Sequence, residues 1–135
     1  MVELAAESLR RTGRLRLRVT GSSMLPAIRP GDVIEVRSRA AAAIQAGAVV
    51  LFERGGRLFA HRAIRSHGSF LVTRGDTHDR EDEAIAEDEL LGEVIEVRRR
   101  HRRVAARATA FTRAAAFVFR RSPLAGRIFA RMFAA

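Results

Sequence analysis

The chain has 135 residues and a formal net charge of +10, with no cysteine, tryptophan or tyrosine. That length suits one domain with a core built from Phe, Val, Ile and Leu. The absence of cysteine removes a disulfide framework and thiolate metal sites. Four scattered histidines do not make structural zinc, so no cofactor or metal ligand is expected.

The charge is uneven. Residues 98–135 carry eleven arginines and no acid, whereas the preceding 97 residues carry 14 arginines against 15 acids. The body is therefore nearly neutral, and nucleic acid is not an expected partner. The longest uncharged run, 40–52, is 13 residues, short of the roughly 18–20 that a membrane span needs. Met1-Val2-Glu3-Leu4 lacks the charged-then-apolar order of a secretory signal. The expected location is the cytoplasm, with peripheral membrane attachment as an alternative.

Along the chain, Leu4, Ala5, Leu9 and Thr12 fall near one face of a short helix, with Glu3 early, Arg10-Arg11 late and Gly13 as its stop. Leu15, Leu17 and Val19 then alternate with arginines, which predicts a half-buried strand. Gly21 breaks it and delivers the run Gly21-Ser22-Ser23-Met24-Leu25-Pro26. Pro30-Gly31-Asp32 marks a turn before a strand at 33–37, and residues 38–47 form a connection. Strands follow at 49–52 and 58–64 around a Gly55-Gly56 hairpin, and then at 70–73. After an acidic loop at 75–89, a last strand is predicted at 91–97. Short strands at this spacing predict an all-β sandwich or partly open barrel.

The tail differs, with helical periodicity over 104–120 and 123–134 and Ser122-Pro123 as a helix start. Three segments follow: an N-terminal helix (1–13), a β domain (14–97) and an Arg-rich helical tail (98–135). The tail reads as a solvated face, or as a basic amphipathic surface lying on anionic lipid through 104–134.

Ser23 in a turn and His61 in a strand offer a nucleophile and a base. All 25 basic residues are arginine. Arginine does not lose its proton near neutral pH, so only histidine remains to serve the serine. Read alone, the serine turn is more often a structural loop. His67, His78 and His101 read as surface residues, with His78, near Asp76, an alternative base.

The segments gain meaning together. Ser23-Met24-Leu25-Pro26 leads to Gly31-Asp32, then Phe59-Ala60-His61-Arg62, then Gly75-Asp76 through Asp82. In this order they resemble the signal peptidase I group of serine peptidases (S24/S26 superfamily), whose core is shared with the LexA and phage-repressor self-cleaving domains. The resemblance covers about residues 14–97, and His61 before Arg62 is similar to the histidine-type members. It implies a small β-barrel or sandwich core and a serine endopeptidase acting on a peptide or precursor protein. Ser23 would be the nucleophile and His61 the base, with Asp82 or Asp76 as the orienting acid. The Ser23 N–H would be the oxyanion donor, and Met24 and Pro26 would lie against substrate.

Some members of that group add a hydroxyl two residues before the serine, where this chain has Gly21. Compared with that group, no transmembrane anchor is expected in residues 1–13, no large β insertion separates His61 from Asp76, and Gly47-Ala48 stands where Gly-Asp is usual. Two other readings stay open: an idle β scaffold that binds a peptide or membrane surface, and a self-cleaving regulator.

Overall fold

The computed structural model describes residues 2–106 and Phe117. Helix α1 (Val2–Thr12) is followed by β1 (Arg14–Arg18), β2 (Val33–Arg37) and a 3-10 turn at Ala41–Ala43. Then come β3 (Val49–Arg54), β4 (Arg57–His67), β5 (Phe70–Arg74), β6 (Leu90–Arg99) and β7 (Arg102–Val104). All strands pair antiparallel in one seven-stranded sheet, in the order β1-β2-β6-β3-β4-β5, with β7 also on β6. The fold is mostly β with one short N-terminal helix.

Strand β3 explains the core. Its Val49-Val50-Leu51-Phe52 run is buried at every position, because both faces of the sheet are covered there. Val49 and Leu51 join Met24, Ile28, Ile34, Val36 and Val97 on one face. Val50 and Phe52 join Ile44, Ala63, Leu71 and Ile85 on the other. Alternation along one strand thus divides the interior into two clusters. The β3–β4 hairpin turns on Gly55 and Gly56, at φ 62° and 75°, the left-handed pair that a two-residue turn between twisted strands requires.

Two sequence expectations change. Leu4 is 76 % exposed, so the buried stripe of α1 is Ala5 and Leu9. The boundary after Val97 falls inside β6, and pairing continues through β7. The arginine run conceals these strands because three of its arginines are paired with acids outside the run. Arg98 pairs with Glu96, Arg99 with Asp32, and Arg103 with Glu96. The helices expected beyond residue 106, and the lipid-facing surface built on them, lie outside the described residues. No described helix is long and apolar enough to cross a membrane.

Candidate active site

The serine lies on a loop closed at its base. The Val19 N–H donates to Asp32 O, and the Gly31 N–H to Val19 O, both at 2.8 Å. Inside the loop the Ile28 N–H donates to Met24 O at 2.9 Å. Met24, Leu25, Ala27 and Ile28 are all buried, so the turn is held from beneath by apolar packing, worth about 1.5–3 kcal/mol per large side chain. Asp32, 2 % exposed, accepts from Arg99 Nε at 2.9 Å and Nη2 at 2.8 Å, and from the Arg29 N–H at 2.9 Å. The first Gly-Asp pair thus ties the serine loop to β6.

Met24 and Pro26, expected against substrate, form the underside of this turn. Both are buried, and Met24 belongs to the core cluster. Their apolar side chains support the turn from beneath. The Leu25–Pro26 peptide is cis.

Ser23 is half-buried. Its carbonyl accepts from the Thr77 N–H at 3.0 Å and from Thr77 Oγ1 at 3.2 Å, which fastens the serine turn to the loop after β5. Its own N–H donates to no backbone carbonyl among the described residues. No hydrogen bond joins Ser23 Oγ to His61 among them.

His61 lies on β4 opposite Val50 and is 4 % exposed. Its ring sits among Phe52, Phe59 and His78, at centroid distances of 5.7, 5.9 and 5.2 Å. Its Nδ1 is 2.6 Å from Asp82 Oδ2. That same oxygen accepts from Thr73 Oγ1 at 2.7 Å, while the Asp82 N–H donates to Thr73 O at 2.8 Å. A carboxylate on Nδ1 sets the tautomer with hydrogen on Nδ1 and the lone pair on Nε2.

Asp76 has another partner. It accepts from Arg62 Nη2 at 2.7 Å and Nε at 3.2 Å. Arg62, 5 % exposed, also donates through Nη1 to Gly47 O at 2.9 Å and Ala106 O at 2.6 Å. Alternation sends neighbouring residues of β4 to opposite faces, so His61 meets Asp82 and Arg62 meets Asp76. The structure brings Asp82 to the imidazole and gives Asp76 to the buried guanidinium.

Sequence reading missed Thr73. Its signal is a polar side chain in the inward phase of β5, where Leu71 is 1 % and Thr73 0 % exposed. It also missed the approach of His78, whose ring meets that of His61 edge-on at 83°. The His78 pKa is lowered, first by desolvation and then by repulsion from His61, against the pull of Asp82 and Asp79. No carboxylate hydrogen-bonds the His78 ring among the described residues. One ligand atom each from His61, His78 and Asp82 lie within 4.8 Å of one another.

The Peptidase S24-like family matches residues 2–95, which takes in the serine turn, the His61 strand and the acidic loop. The chain belongs to the Peptidase S24-like family, a group of serine-peptidase type. No curated protein matches the sequence.

Proposed function

We propose that this chain is a serine endopeptidase acting through Ser23, His61 and Asp82. The observation that carries the reading is the buried contact of 2.6 Å between His61 Nδ1 and Asp82, which leaves the Nε2 lone pair to accept a proton. Ser23 Oγ attacks the scissile carbonyl carbon as His61 takes its proton. The Ser23 N–H, which donates to no backbone carbonyl among the described residues, supports the developing oxyanion. Collapse breaks the C–N bond, and the proton passes from His61 to the leaving amine. Water then hydrolyses the acyl-enzyme with His61 again as base.

Nucleophile and base need a contact of about 2.6–3.2 Å, which often tightens only when substrate binds. Rotation of Ser23 on its anchored turn supplies that step. By resemblance to the signal peptidase group, the substrate is an extended segment of a precursor with small residues before the cut, added to a free sheet edge.

The test is cleavage of a diverse peptide library by wild type, Ser23→Ala and His61→Ala, with and without anionic vesicles. Cuts present in wild type and lost in both variants support the reading. A folded wild type that cuts nothing under either condition leaves the idle scaffold.

A further inference from the structure

We propose that His61, His78 and Asp82 form a binding site for a borderline transition-metal ion, of the class of Zn²⁺, whose occupancy switches the peptidase off. The inhibitory consequence rests on the serine peptidase reading, whereas the binding itself does not.

Three features point to an ion. The donors are two imidazoles and one carboxylate, a set suited to zinc and its neighbours rather than to calcium or magnesium. Their ligand atoms already lie within 4.8 Å of one another, and they come from different elements. His61 is on β4, while His78 and Asp82 are on the loop after β5. That loop is fixed at several points: the Thr77 N–H on Ser23 O, the His78 N–H on Gly75 O and the Asp82 N–H on Thr73 O. The donors are therefore substantially pre-placed, which lowers the cost of gathering them. Acids crowd the same segment, with seven between 79 and 89, and draw cations toward it.

Either coordination mode disables the base. If the ion takes Nε2 of His61, it occupies the lone pair that accepts the serine proton. If it takes Nδ1, it replaces the hydrogen bond to Asp82, and the imidazole proton must reside on Nε2, which then donates and does not accept. His78 decides the matter, because it has no role in the proposed proton transfer and completes the donor set.

The experiment is a titration of the full chain with Zn²⁺, and with Co²⁺ as a visible probe, followed by calorimetry and absorption. The variants are His78→Asn, Ser23→Ala, and His67→Asn with His101→Asn as histidine controls. The expected result is one equivalent bound by wild type and Ser23→Ala, with cobalt bands of a nitrogen/oxygen site and no comparable Ca²⁺ binding. His78→Asn should weaken binding by about 100-fold or more, the upper end of what even an outer-shell partner costs. The zinc concentration that half-inhibits cleavage should rise by the same factor. Metal binding that ignores His78→Asn, or that follows the control histidines, overturns the proposal, as does no binding by folded protein. Because Ser23→Ala still reports binding, an inactive peptidase and an absent metal site give different results. Binding with unaltered cleavage would overturn the inhibitory role.

Discussion

Thr73 and Asp82 hold each other twice. The threonine hydroxyl donates to Asp82 Oδ2 at 2.7 Å, and the Asp82 N–H returns to Thr73 O at 2.8 Å. The oxygen so fixed is the one 2.6 Å from His61 Nδ1, so Thr73 acts as a positioning residue for the imidazole. Thr73→Val keeps the shape and removes the donor. It is expected to destabilise the fold by about 1–3 kcal/mol and to lower kcat more than it raises KM. Thr73→Ser should restore both. A Val variant with wild-type kcat in a steady-state assay would remove Thr73 from the site.

Asp82 and Asp76 should part company under mutation. Asp82→Asn keeps the size of the side chain but loses the charge and allows the wrong imidazole tautomer. On the serine-triad precedent it should lower kcat by about 10²–10⁴-fold. Asp76→Ala instead strands Arg62, whose side chain is 6 % exposed. Breaking such a buried pair typically costs about 3–5 kcal/mol, to be read as a lower midpoint in chemical denaturation. Equal rate losses from both, at temperatures where both are folded, would contradict the division of roles.

Acid should weaken the fold in two stages. The folded chain holds the His78 pKa below its ordinary 6.5, so the unfolded chain binds that proton first and stability falls as pH drops through and below that value. Glu89 is held below its ordinary 4.5, first by the hydrogen bond from Arg54 and then by the Ala86 N–H. Its contribution is complete above pH 4.5 and is lost as pH falls through the lower folded value. Thermal melts from pH 8 to 3 should show both declines. His78→Asn should flatten the first and Glu89→Gln the second. If His78→Asn leaves the decline between pH 7 and 5 unchanged, the first assignment is wrong.

Local chemistry made much of this legible before any coordinates. The alternation at Leu15 and Leu17, the double glycine at 55–56 and the apolar run from Val49 each reflect nearest-neighbour physics. What stayed hidden depends on pairing at a distance. Arg99 lies 67 residues from Asp32, and composition alone assigns it to a charged tail. The two-residue turn at Arg100 and His101, with φ 50° and 69°, uses residues that rarely mark left-handed turns. The resemblance favours Asp82 over Asp76 as the acid for His61, but the reason lies in the pleat of β4, which sends His61 and Arg62 to opposite faces. Burial of Met24 and Pro26 is likewise a tertiary fact, since the loop could have presented them outward.

The oxyanion site gives a prediction of increased activity. In the proposed mechanism the Ser23 N–H supplies one donor, and the resemblance to the signal peptidase group implies a second from a hydroxyl two residues earlier, where this chain has Gly21. A Cβ built on Gly21 meets nothing within 4 Å, and the residue is exposed. Gly21→Ser is therefore expected to fold normally and to raise kcat toward the about 10²-fold that an oxyanion donor contributes. Gly21→Ala should not, since it adds the carbon without the donor. Gly92 is the contrasting glycine, because a Cβ there would collide with the Arg37 carbonyl oxygen. Gly92→Ala should lower stability by forcing β6 from β2. Parallel rates and melting temperatures for the three variants make the comparison. A Gly21→Ser enzyme no faster than Gly21→Ala would mean that residue 21 lies out of reach of the developing charge, and that the second donor comes from another part of the loop.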